Sequence, residues 1–165
     1  MKEPRIYNCG TKYFGEKIDI TDPCYDKDVW CRRTEEIIPG NYNCYVEMVG
    51  DRISEIFIVK DGENAEHERL IGSIGVDAGL AGFFNDKPDY SDDYWNELCD
   101  DINKWDDEND VPAYFNDDGF FSSSGWGDGE YAVMELLNED KTKGWDFQSF
   151  LLMAQLMRMM NKIKR

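Results

Sequence analysis

From Gly40 to Val49 the chain alternates apolar and polar positions, with Tyr42, Cys44, Val46 and Met48 sharing a two-residue period. That period predicts a half-buried β-strand. The alternation breaks at Gly50-Asp51 and resumes from Ile53 to Val59, which predicts a hairpin. Glycine at the first turn position suits a type II′ turn, whose twist matches the flanking strands. Ile56 to Val59 are apolar without alternation, so the second strand is expected in the interior of a sheet.

Four further strands are predicted, at Lys17 to Ile20, Arg69 to Asp77, Gly119 to Ser123 and Tyr131 to Leu137. The Arg69 to Asp77 strand runs into "AGLAGFF", read as a loop of small residues. Six short strands with glycine turns predict an α+β, β-rich fold, an antiparallel sandwich or partly open barrel. Two helical patterns interrupt this reading. Tyr94, Leu98, Ile102 and Trp105 recur at helical spacing, with Ser91 placed to cap the helix and Asp92 and Asp93 in its first turn. At the other end, "FQSFLLMAQLMRMMNKIKR" is expected to form a helix with Phe147, Phe150, Leu151, Ala154, Met157 and Ile163 on one broad face. The expected organisation is a single β-rich domain over 1–140, an acidic helical insert at about 86–118, and a Met-rich, basic C-terminal helix over 141–165. That helix is expected to pack on the domain or on a second subunit, which would make a homo-oligomer.

Charge changes the picture of partners. The 165-residue chain has 35 acids against 18 Lys and Arg, a net charge of -17. Bulk electrostatics of that sign excludes direct binding to nucleic acid or to an anionic membrane, since phosphate contacts need clustered cations. Between Asp86 and Asp118 acids crowd against Lys87 and Lys104 alone, so the helix is expected to turn Asp92, Asp93, Glu97, Asp100, Asp101, Asp106, Asp107 and Glu108 outward. A basic protein surface is the expected partner of that face, unless the charge serves only solubility. Proteins of phages and mobile elements that imitate nucleic acid in charge offer an analogy. The start "MKEPRIYNCG" lacks an apolar leader core and no run suits a membrane span, so a cytoplasmic location is expected. Cys9, Cys24, Cys31, Cys44 and Cys99 include no C-x-x-C pair, and His67 is the lone histidine. A zinc site or disulfide framework is not expected, and the cysteines are read mainly as small core residues.

Candidate chemistry concentrates in three stretches, "ITDPCY", "GVDAGLAGFF" and "SSSGWGDGEYAV", each with an aspartate among small or turn-forming residues at a strand end. Asp22, Cys24, Asp77, Gly79, Ser124, Gly125, Trp126, Gly127, Asp128 and Tyr131 are therefore the ligand-binding candidates. Glycine lets backbone approach a ligand, but Asp and Gly are equally the ordinary vocabulary of turns. If the loops converge they form one polar pocket; if not, the turn reading stands. Asp77 and Asp128 are the candidate ligands for Mg²⁺ or Ca²⁺, and no other cofactor is expected. Phosphate-loop, EF-hand and nucleophile-elbow spacings are absent, and a Cys24–His67 pair is disfavoured because His67 reads as part of an exposed polar loop.

Taken in order, "ITDPCY", "PGNYNCYVEM", "IGVDAGLAGFF" and "SSSGWGDGEYAV" resemble the domain of unknown function 4241 family of small bacterial and phage proteins. The resemblance spans roughly Lys17 to Leu137 and rests on Asp22, Cys24, Asp77, Gly79, Ser124, Gly125, Gly127, Asp128, Gly129 and Tyr131. It implies a β-rich cytosolic domain without an assigned activity, so no catalytic residue is carried over. After about Asp140 the family pattern continues into another strand where a helix is expected here. The function expected from the acidic face is that of a non-catalytic interaction protein, of a kind that phages and mobile elements encode, docking on a basic surface of a host macromolecule. The alternative is a small metal-dependent hydrolase or ligand sensor using the loop aspartates.

Overall fold

The computed structural model describes residues 2–137 and 149–153, the last five as backbone alone. Within them lie eleven strands and one helix: β1 (Pro4–Phe14), β2 (Lys17–Thr21), β3 (Arg33–Glu36), β4 (Gly40–Val49), β5 (Arg52–Lys60), β6 (His67–Val76), β7 (Leu80–Phe84), α1 (Asp92–Asp106), β8 (Ala113–Phe115), β9 (Gly119–Ser123), β10 (Gly129–Leu137) and β11 (Ser149–Met153). The strands form two antiparallel sheets, one ordered β1-β4-β5-β11-β10-β6 and the other β3-β2-β7-β9-β8.

A single core fills the space between them. The alternating side of β4 contributes Tyr42, Cys44, Val46 and Met48, and the smaller sheet contributes Ile18, Ile20, Phe83 and Phe120. Each such side chain contributes about 1.5–3 kcal/mol by leaving water, so this shared layer is what joins the sheets into a β-sandwich. The hairpin forms as its pattern predicts, with Gly50 at φ +70° and Val49 opposite Arg52, and β5 is interior.

The smaller sheet is covered on its outer side by α1. Ser91 caps the helix, its side chain accepting a hydrogen bond from the Tyr94 amide at 3.1 Å. Buried Leu98 packs with Phe84, Tyr114 and Phe121, while Tyr94, Trp95, Ile102 and Trp105 flank that contact. Burial on both faces explains why β7 and β9 are nearly continuous apolar or small runs.

Three sequence expectations are corrected. "AGLAGFF" is not wholly a loop, since Leu80–Phe84 is the central strand of the smaller sheet. Its small residues serve close packing: a Cβ on Gly82 would stand 2.3 Å from the Phe120 carbonyl oxygen. His67 is exposed, but as the first residue of β6 and not in a loop. Within the expected C-terminal helix, Ser149–Met153 instead forms a strand inserted between β5 and β10. A short unbroken apolar run such as Phe150 to Met153 fits an interior strand as readily as a helix. Residues 138–148 and 154–165, with the rest of that expectation, lie outside the described residues.

Candidate functional site

The three aspartate-bearing stretches do meet, at one corner of the sandwich. Asp22 follows β2 and is fully buried. One carboxylate oxygen accepts from the Cys24 amide at 2.8 Å, and the other accepts from the Asp77 and Ala78 amides, each at 2.7 Å. This carboxylate therefore ties the turn after β2 to the β6–β7 connection. The next link is backbone to backbone, from the Ser124 amide to the Gly79 carbonyl at 2.8 Å. Ser124 Oγ and the Tyr131 hydroxyl then both donate to the Gly127 carbonyl, at 2.8 and 2.7 Å.

The "SSSGWGDGEYAV" stretch is a crossing between the two sheets, since β9 and β10 lie in different ones. Trp126 folds against the core, and the Arg52 guanidinium lies 4.6 Å above its ring while donating to the Gly125 carbonyl at 3.1 Å. The crevice beside Ser122, Ser124 and Tyr131 measures about 10 Å³, scarcely the space of one water. Polar groups that could have faced a ligand thus face one another. Asp77 and Asp128 remain exposed, and the pairing of Val76 with Gly129 puts both at the same end of the β6–β10 pair. Among the described residues, no three His, Cys, Asp or Glu side chains are grouped as a metal site would require. Cys24 is held as a thiol: burial pushes its pKa up to about 12, the Asp22 charge adds to this and Lys87 opposes it. His67 stands at the far end of β6 from Asp77, away from Cys24.

A different geometry occupies the outer side of the smaller sheet. A groove of about 850 Å³ runs between α1 and the turn joining β8 to β9. Pro88, Tyr94 and Phe115 give it apolar surface, while Glu97, Asp100, Asp101, Asp117 and Asp118 line it with carboxylates. The described lining includes no Lys or Arg. Asn116 shapes the turn, its side-chain oxygen accepting from the Asp118 and Gly119 amides at 3.0 and 2.7 Å. From behind, Lys12 on β1 donates to the Asn116 and Asp117 carbonyls at 2.9 and 3.0 Å. Partial burial raises the Asp118 pKa and the neighbouring Asp117 charge raises it further, against the pull of Lys12 and Lys87. Of the expected acidic face, Glu97, Asp100 and Asp101 reach this groove. Asp92, Asp93, Asp106, Asp107 and Glu108 are exposed elsewhere on or beside α1, where Asp106 also accepts from the Tyr114 hydroxyl at 3.0 Å.

Between corner and groove lies a buried ionic network that the sequence does not announce. Asp19 accepts from Thr34 Oγ1 at 2.8 Å and from the Lys87 amide at 3.0 Å, and it pairs with the Arg32 guanidinium. Lys87 has no exposed surface; its ammonium donates to the Pro88 carbonyl at 2.6 Å and sits 5.1 Å from the Tyr94 ring centre. Desolvation lowers the Lys87 pKa and the Arg32 charge lowers it further. The cost of burying these charges is offset by pairing and hydrogen bonds, and the network fixes the approach to α1. No residue spacing could have revealed it, because Asp19, Arg32 and Lys87 meet only in the fold.

No helix among the described residues is long and apolar enough to cross a membrane. No family model, curated protein or solved structure matches the chain.

Proposed function

We propose that this protein is a non-catalytic interaction protein that docks its acidic α1 face on a basic protein surface. The observation that carries this reading is the groove itself, in which five carboxylates surround apolar residues with no Lys or Arg among the described lining residues. A desolvated carboxylate such as Asp118 gains most from an incoming ammonium or guanidinium. The proline, tyrosine and phenylalanine of the lining suit the methylene stem of a lysine or arginine.

Titration with an oligolysine peptide tests this directly. Affinity is expected to fall about tenfold or more between low and high salt, and to be lost in the Glu97→Gln, Asp100→Asn, Asp101→Asn triple variant. Binding that ignores both salt and these substitutions would refute the reading.

The alternative is a small metal-dependent hydrolase or ligand sensor at the glycine corner, favoured by Asp77 and Asp128 following the same end of the β6–β10 pair. Thermal stabilisation by Mg²⁺ or Ca²⁺ that disappears in Asp128→Asn is the expected sign of that role. Absence of any stabilisation removes it.

A further inference from the structure

The turn between β2 and β3 leaves Trp30 93% exposed. A tryptophan carries 150–250 Å² of largely apolar surface, and a side chain left this far in water gains much by being covered. Its backbone is held on both sides. The Arg32 amide donates to the Val29 carbonyl at 3.0 Å, closing a turn with Trp30 and Cys31 at its corners. Buried Cys31 in turn accepts through its carbonyl from the Gly75 amide of β6 at 2.9 Å. Ahead of the turn, the Lys27 amide donates to Asp89 at 2.7 Å and the Tyr90 amide to Asp26 at 2.6 Å. These two bonds fasten the loop that carries Trp30 to the acidic segment entering α1.

We infer that Trp30 is an aromatic anchor for a protein partner that presents an apolar slot rimmed by Lys or Arg, an inference that rests on the basic-partner reading above. A pinned backbone lowers the ordering cost of docking, and exposed tryptophans dominate interface energetics when a partner covers them. Charge complementarity selects the rim: Asp26, Asp28 and Asp89 are exposed on this surface, while its cations are already paired, Lys27 with Asp86 at 2.8 Å and Arg32 with Asp19. The same charge opposes insertion into an anionic bilayer.

Two peptides of equal length and equal lysine content separate anchor from charge, one with glycine and one with leucine at the remaining positions. Titrated into the full chain at low salt, the leucine peptide is expected to bind about tenfold more tightly. Trp30→Ala is expected to remove that increment and leave the glycine peptide unaffected, with an unchanged melting temperature because the side chain packs on little. An increment that is absent, or that survives Trp30→Ala, overturns the anchor while leaving the acidic-face reading intact. Failure of the glycine peptide to bind overturns that reading and this inference with it. Binding to anionic phospholipid vesicles through Trp30 would overturn the choice of partner.

Discussion

The glycine corner and the α1 groove are both rich in carboxylates, yet they use them oppositely. At the corner, Asp22 is buried and its two oxygens accept three backbone amides. In the groove, five carboxylates face an 850 Å³ opening. A carboxylate surrounded by donors of its own chain holds the fold, whereas one surrounded by other carboxylates is left to find a cation elsewhere. The contrast separates structural acids from available ones more sharply than the residue types do.

The largest effect that would test this contrast belongs to Asp22. Asp22→Ala removes a buried carboxylate that accepts from three partly buried amides and opens the junction of two loops, so equilibrium denaturation is expected to show a loss of about 3 kcal/mol. If stability were unchanged, the corner would not be the latch that its geometry describes. Next come two glycines with the same φ of +78° and different surroundings. A Cβ on Gly125 would lie 2.0 Å from the Ile53 carbonyl oxygen, while one on Gly127 meets nothing within 4 Å. Gly125→Ala is expected to cost about 3 kcal/mol, and Gly127→Ala about 1 kcal/mol from backbone strain alone. Equal costs would mean that the sheet crossing does not press on β5.

Against these, the groove substitutions are expected to be nearly silent in stability. Asp100→Asn with Asp101→Asn should move the melting temperature by about 1 °C or less while weakening oligolysine binding several-fold. A large loss of stability would make these carboxylates structural and erase the distinction between the two regions.

What could be read in the chain follows the same division. β4 and α1 are legible because each buries one face, so a period of two or of 3.6 survives in the residues, while β5 is legible from the turn before it and its apolar run. Even the cap is legible, since Ser91 and the acids after it act locally. β1 escapes because it is a largely exposed edge strand whose register shifts between Asn8 and Gly10, breaking its alternation. β3 and β8 are too short to show a period, with four and three residues. At the candidate sites, the meeting of the three loops was readable as a conditional, because all three lie at strand ends. The role of Asp22 was not, because its partners at Asp77 and Ala78 are supplied by another strand's end. The groove was half legible: the charge of α1 is plain, but its opposite wall at Phe115 to Asp118 is placed there by the smaller sheet.

The smallest expected effect is also the most specific to the groove. Asp118 has a folded-state pKa above its ordinary 3.8, first through desolvation and then through Asp117. The folded protein therefore binds this proton more tightly than the unfolded chain, and stability falls as pH rises through the interval above 3.8. At neutral pH the charged group opposes folding; below pH 3.8 both states are protonated and the opposition vanishes. Asp118→Asn is expected to raise the melting temperature by about 1–2 °C at pH 7, since partial exposure screens the effect, and by nothing measurable at pH 3. An oligolysine peptide seated in the groove should also abolish the difference at pH 7, because the ammonium supplies the compensation that desolvation denies. A gain that persists at pH 3 would assign the effect to packing, and one that persists with the peptide bound would place the peptide outside the groove.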